Sequence, residues 1–373
     1  MKILHLTTHL NIGGITTYIL RLIRPFRQNG IETFVLSSGG TCTAMLKAAG
    51  ATVFELPIRT KSELNPKIYW AIPKIRRIIR ENKIDILHAH TRVTQVVAFW
   101  IQKATGIPVV TTCHGFYKRR LGRRILPAWG DRVIGISQGV AGHLQQDHKV
   151  GLERIVTVNN GVDIEELDRA YAGHDSVKTK EEFGFLRRDP VVGIVARLVA
   201  DKGHEYLIRA IDLLRKKHPD IRLLIVGDGI QKNYLQQITS QLELHQHVFF
   251  LGSVSDVTRP LAAIDIFAFP ATWREGFGLS IVEAMACRKP VIVSNIWALN
   301  SLILDQSTGV LIEPKKIEPL AEAISELIRN PDKRAKIGRA GREMVEASFS
   351  VSRMALEIQQ IYQGLLPLDT QRT

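Results

Sequence analysis

Cysteine is scarce in this chain: three residues in 373, Cys42, Cys113 and Cys287, lie far apart and outside any Cys-x-x-Cys spacing. That excludes a disulfide framework and a thiolate zinc site, and it predicts three buried thiols. Long apolar runs are missing as well, so no segment reads as a membrane span, and residues 1–7 read as a buried strand rather than a secretory leader. The expectation is a cytoplasmic protein. Low-complexity segments and short-period repeats are absent, and 45% hydrophobic with 23% charged residues describes a globular chain long enough for two domains with cores of their own. No Asp-x-Asp stands at the end of an apolar strand, which removes the usual signal of a metal-assisted centre; Asp163-x-Glu165 reads as a helix cap.

Acidic residues run short in one half. Residues 1–170 hold 24 Lys and Arg against 12 Asp and Glu, whereas 171–373 hold 26 against 24, so the formal charge of +14 belongs mainly to the first half. It is concentrated at 59–132, with 16 basic and 4 acidic residues, a field that suits an anionic partner. Within it, residues 116–129 interleave Lys118, Arg119, Arg120, Arg123 and Arg124 with aromatic and aliphatic side chains. These five cations are candidate contacts to an anionic membrane surface or an anionic acceptor. No nucleic-acid module accompanies them, so no nucleic-acid partner is expected.

What the chain has in quantity is strand–helix alternation. Residues 2–7 read as a strand, Asn11-Ile12-Gly13-Gly14 as a turn, and the stretch through Tyr18, Leu22 and Ile23 as an amphipathic helix. Strands follow at 32–37, 84–90, 108–112, 132–136 and 155–159, with helices near 66–82, 92–104 and 138–147. This pattern is a doubly wound α/β domain with a parallel sheet. Polar, weakly periodic sequence at 172–190 marks the joint. Strands at 191–196, 221–227, 247–252, 265–269, 290–294 and 309–313 then build a second doubly wound sheet, and helices at 315–329, 331–347 and 351–365 follow.

Several turns between these elements could hold a ligand. Gly13 and Gly14 come after the first strand, where open parallel sheets bind ligands, although a lone Gly-Gly is also a plain tight turn. The strongest pattern is Glu275-Gly276-Phe277-Gly278-Leu279-Ser280-Ile281-Val282-Glu283, a loop with two glycines opening a helix at Leu279. Gly276 and Gly278 permit positive φ and close backbone approach, and the first-turn N–H groups with the helix dipole behind them offer a phosphate site. Glu283 stands on a helix too apolar for the surface, where a carboxylate needs either an internal ion pair or the hydroxyls of a ligand. Arg197 and Lys202 sit at the carboxyl end of the 191–196 strand; a diphosphate could lie between them, and two solvated cations would account for them as well. His114 stands just beyond the 108–112 strand, while His88 and His90 read as structural.

The run Glu-Gly-Phe-Gly-Leu-Ser-Ile-Val-Glu-Ala-Met-Ala-Cys-Arg-Lys-Pro-Val-Ile from residue 275 closely resembles the signature of retaining glycosyltransferase family 4, also called glycosyl transferases group 1. The resemblance implies the GT-B fold: two Rossmann-like domains facing a cleft, with a C-terminal helix crossing back to the first. It makes 1–171, with 351–373, the acceptor-binding domain and 172–350 the nucleotide-sugar-binding domain. Arg197 and Lys202 match the family's Gly-Arg-Leu…Lys-Gly, with Ala196 in place of the Gly, and by resemblance neutralise the leaving diphosphate. Glu275 would bind the sugar with His114 near it, and Glu283 would accept the ribose hydroxyls. Gly227, Val254 and the Gly276, Phe277, Gly278, Leu279 turn would complete the nucleotide side, with Gly13 and Gly14 as a second cradle.

The activity implied is metal-independent, cofactor-free, retaining transfer of a hexose from a nucleoside diphosphate sugar, UDP-sugar favoured, to a lipid-linked or cell-surface polysaccharide or lipopolysaccharide acceptor. The protein would be peripheral to the inner face of the membrane. One stretch departs from the family: Trp297, Ala298 and Ser301 stand where Gly, Gly and Glu are usual. That departure leaves open an altered preference or a non-catalytic nucleotide-sugar-binding subunit, and a nucleotide-sugar epimerase of the same architecture is a further alternative.

Overall fold

The computed structural model describes residues 1–60 and 62–367, in two compact units. The first contains β1 (Lys2–Leu6), α1 (Gly14–Gln28), β2 (Glu32–Ser37), α2 (Thr43–Ala48), β3 (Thr52–Glu55), α3 (Pro66–Asn82), β4 (Ile86–Ala89), α4 (Arg92–Thr105), β5 (Val109–Cys113), α5 (Leu121–Ile125), β6 (Arg132–Gly135), α6 (Gln138–His148) and β7 (Ile155–Thr157). Its seven strands are all parallel, in the order β3-β2-β1-β4-β5-β6-β7. The winding reverses between β1 and β4, the point at which an open sheet leaves room for a ligand beyond its carboxyl edge. β4 and β5 are buried along their whole length, as strands covered on both faces must be. Local signals set the helix limits: Thr91 and Thr94 form a capping box at the start of α4, and Gly106 in the left-handed region ends it.

The second unit contains α7 (Ile164–Ala172), α8 (Ser176–Glu182), β8 (Val191–Val195), α9 (His204–Leu214), β9 (Arg222–Val226), α10 (Lys232–Gln241), β10 (Val248–Gly252), α11 (Thr258–Ala263), β11 (Ile266–Phe269), α12 (Leu279–Ala286), β12 (Val291–Ser294), β13 (Val310–Ile312), α13 (Ile317–Arg329) and α14 (Pro331–Ser348). Its sheet is also parallel, ordered β10-β9-β8-β11-β12-β13, and its winding reverses between β8 and β11. α15 (Val351–Gln363) belongs to the first unit, where Tyr362 packs near Phe26 and the Asn29 amide donates to Gln359 Oε1 at 2.9 Å. Residues 368–373 of the expected 351–373 segment lie outside the described residues.

Two sequence expectations need correction. No element is read between residues 37 and 66, yet α2 and β3 lie there; β3 is a four-residue edge strand, too short to display a period. The joint also falls earlier than 171: the second unit begins at Val162 and ends at Ser350. The Val162 N–H donates to Phe349 O at 2.9 Å, and Arg342 of α14 clasps Asp168 of α7 through two hydrogen bonds of 2.6 and 2.7 Å. The polar stretch after 172 is therefore α8, seated within the second unit. Asp163 caps α7, accepting from Glu166 N–H at 3.0 Å. All three cysteines are free and buried, and no described helix is long and apolar enough to cross a membrane.

Candidate active site

The winding reversal of the second sheet explains why residues 73 positions apart meet. Lys202 lies in the loop after β8 and Glu275 in the loop after β11, and these strands are neighbours, so the Lys202 ammonium reaches the Glu275 carboxylate in a close ion pair. Both side chains are mostly shielded from water, which strengthens the pair beyond what an exposed one would contribute. Gly203 makes the approach feasible. At φ 75° it is left-handed, and a Cβ there would lie 1.8 Å from the Pro270 carbonyl oxygen. The Thr272 N–H donates to Asp201 O at 2.9 Å and fastens the two loops together.

Glu275 Oε1 also accepts from the Gly276 N–H at 3.0 Å, within the loop that leads into α12. Gly278 is the N-cap of that helix, at φ 85°, and no side chain caps the first turn. A Cβ on Gly278 would press on Ile281 and Leu299, so Leu299 supports the turn from the 295–303 loop. Leu279 is half-buried and begins the helix, and Glu283 is buried one turn further on. The Phe277 ring is buried edge-on against Phe349, 5.8 Å between centroids, so the side chain anchors the loop.

Arg197 is exposed beyond β8. Gly227, after β9, is at φ 138° and lets the chain pass against Ala196 O, which would lie 2.0 Å from any Cβ. Half-buried Val254 follows β10. In the departing loop, Trp297 is exposed while Ala298 and Leu299 are buried, so the Trp297 side chain is surface and its neighbours are core.

The other candidate residues belong to the first unit. His114 follows β5, half-buried; its Nε2 lies 3.1 Å from His90 Nδ1, its ring meets Tyr18 edge-on at 4.8 Å, and burial pushes its pKa down to about 3. His114 is thus a neutral imidazole. Gly13 caps α1 in extended backbone and Gly14 opens the helix; a Cβ on Gly14 would meet nothing within 4 Å, and one on Gly13 only Asn11 O at 4.0 Å. Neither glycine is demanded by strain or packing within the protein, which leaves an open backbone surface beyond β1.

The basic segment divides. Lys118, Arg119, Arg120 and Arg124 are exposed, with Leu121 and Ile125 beside them, and Arg119 pairs with Asp147 at 2.8 Å. Arg123 turns inward, although it still lines the pocket beside these cations. It is buried between the rings of Tyr117 and Trp129, with its Cζ 4.5 and 4.7 Å from their centroids, and donates to Gln95 Oε1 at 3.1 Å. A helix-spaced Arg in a run of cations gives no sign of which way it points, and the aromatic residues on either side were the available clue. Arg119, Arg120, Arg123, Arg124 and Lys149, with Asp147, line a pocket of about 720 Å³ beside α5.

The family described as Glycosyl transferases group 1 matches residues 175–344, and Glycosyltransferase Family 4 matches 12–166. A GDP-mannose-dependent monoacylated alpha-(1-6)-phosphatidylinositol monomannoside mannosyltransferase of Corynebacterium glutamicum is 31% identical over 375 residues, covering 95% of each chain. The chain belongs to glycosyltransferase family 4. Among solved structures, a Rickettsia africae glycosyltransferase superposes with a TM-score of 0.88 at 25% identity over 98% of this chain and 99% of its own. The Anabaena HepE protein, solved in complex with UDP, gives 0.84 at 24% identity over 98% of this chain and all of its own. This family 4 glycosyltransferase therefore has the GT-B fold, built from the two parallel sheets described above.

Proposed function

We propose that this glycosyltransferase is retaining and independent of metal or other cofactor, and that it moves a hexose from a nucleoside diphosphate sugar to a hydroxyl of an anionic lipid-linked or cell-surface glycan. The observation that carries this reading is the Lys202–Glu275 pair, held beside the uncapped first turn of α12. As the bond from the sugar C1 to the diphosphate breaks, Lys202, Arg197 and the first-turn N–H groups of α12 meet the developing negative charge. The acceptor oxygen bonds to C1 on the face the diphosphate leaves, and its proton passes to the departing phosphate oxygen. Glu275 holds the sugar, His114 donates to it, and Glu283 takes the ribose hydroxyls.

UDP-sugar is the first donor reading, supported by the UDP in the HepE complex; GDP-mannose is the second, supported by the name of the Corynebacterium relative. The exposed cations Lys118, Arg119, Arg120 and Arg124 favour an acceptor presented at an anionic membrane, with the protein peripheral to its inner face. Thermal stabilisation by a panel of UDP-, GDP- and ADP-sugars tests the donor, because a ligand of the folded state alone raises the melting point. A shift confined to one base identifies it; no shift with any of them sinks the proposal. With that donor, Glu275→Gln is expected to abolish transfer while nucleotide affinity stays nearly intact, and EDTA is expected to leave wild-type turnover unchanged.

A further inference from the structure

Behind His114 lies a set of buried histidines that the reading above does not use. His5 of β1 and His90, just beyond β4, are fully buried; His5 Nδ1 is 2.9 Å from His90 Nε2, and His90 Nδ1 is 3.1 Å from His114 Nε2. Three imidazoles thus form a continuous line from the sheet interior to the carboxyl edge at the winding reversal. His88 stands beside this line, stacked 4.3 Å from His90, but both of its nitrogens are engaged elsewhere, by Tyr362 Oη and Thr112 Oγ1 at 2.6 Å each. Tyr18 closes the other side, edge-on to His90 and His114. His5, His88 and His90 are close enough together to hold a metal ion, yet five of their six ring nitrogens already have hydrogen-bond partners in the protein.

We propose that His5 and His90 are positioning residues that fix the tautomer of His114, leaving its Nδ1–H directed outward as a hydrogen-bond donor to an oxygen of the bound sugar. The proposal rests on the placement of His114 at the donor sugar. Its logic is the arithmetic of a neutral imidazole, which has one N–H and one lone pair. Burial keeps all three rings neutral, with His5 and His114 pushed down to about 3 and His90 well below its ordinary value. Once one link of the line is oriented, the others follow.

The orientation is decided at the inner end. His5 Nε2 is buried and has no hydrogen-bond partner among the described residues. If the line ran inward, with His114 donating to His90 and His90 to His5, that atom would carry an N–H with nothing to receive it. If it runs outward, the same atom is a bare lone pair. Orphaned N–H groups are the rarer defect in protein interiors, so the outward direction is the stable one. His5 Nδ1–H then donates to His90 Nε2, His90 Nδ1–H donates to His114 Nε2, and the proton of His114 is left on Nδ1. Among the described residues that atom makes no hydrogen bond, and His114 is only half-buried.

The test is the tautomer itself, read from long-range ¹H–¹⁵N imidazole correlations of the full chain. The expected pattern for His114 is a protonated Nδ1 and a bare Nε2; a protonated Nε2 overturns the relay. Two substitutions extend it. His5→Asn keeps an N–H donor close to the position of Nδ1 and is expected to preserve both the tautomer and turnover, whereas His5→Leu removes it. For His5→Leu the expected outcome is a mixed His114 tautomer and a kcat lowered about tenfold, the equivalent of one hydrogen bond, with little change in donor KM. A fall in kcat without a change of tautomer is a packing effect and also overturns the relay. If the tautomer is as expected but His114→Ala turns over normally, the relay stands and the placement of His114 at the sugar fails.

Discussion

Two arginines one position apart separate structure from surface. Arg123 and Arg124 are indistinguishable as charges, but Arg123 is enclosed by Tyr117, Trp129 and Gln95 while Arg124 is exposed. Arg123→Ala removes two ring contacts and strands a buried amide oxygen, and is expected to lower stability by roughly 2–4 kcal/mol, visible as a lower urea midpoint. Reversing Arg119, Arg120 and Arg124 together is expected to leave the unfolding free energy within about 1 kcal/mol, since surface charges contribute little, and to weaken sedimentation with anionic vesicles, most at low salt. Equal loss of stability in the two variants would reject the division. At this scale the sequence is legible for type and spacing, and silent on orientation: the interleaved cations of 118–124 are evident, but the one that turns inward is not.

Loops at the carboxyl ends of strands carry the site, and their glycines differ in purpose. Gly203 is required by the protein, because it is left-handed and its missing Cβ is replaced by the Pro270 carbonyl. Gly203→Ala is expected to cost more than the roughly 1–2 kcal/mol of a left-handed alanine, and to lose transfer by separating Lys202 from Glu275. Gly14 is required by nothing within 4 Å, and Gly14→Ala is expected to raise stability by about 0.4–1 kcal/mol through the unfolded chain. If that bare backbone serves a ligand, the more stable variant transfers more slowly; undiminished activity would show that the turn is only a turn. The Glu275 to Glu283 run was legible because its glycines, apolar helix and carboxylates are contiguous. The support of Gly278 by Leu299, and of Gly203 by Pro270, was not, because those partners come from other loops brought alongside by the sheet order.

For the molecule as a whole, the strands were legible as apolar runs at regular intervals, and the joint was not, because α7 has no fully buried residue and is held through the Asp168–Arg342 clasp. The buried histidines were equally hidden, since His5, His88, His90 and His114 meet only after three parallel strands align. Their burial has a consequence for the entire chain. In the folded protein His5 and His114 titrate near 3 and His204, in the second unit, near 4, while an unfolded imidazole titrates near ~6.5. Below that unfolded value the open chain binds protons that the folded chain refuses, so stability is full above about pH 6.5 and falls as the pH drops toward the folded values. Each such histidine contributes up to about 1.4 kcal/mol per pH unit in that window, a large share of an ordinary folding free energy. Urea midpoints are therefore expected to be level from pH 8 to 7 and to fall steeply from 6.5 to 5, with a shallower fall in His5→Asn, whose amide does not titrate. A midpoint that stays level down to pH 5, or a slope unaltered by His5→Asn, would mean that the inner histidines take up protons without unfolding.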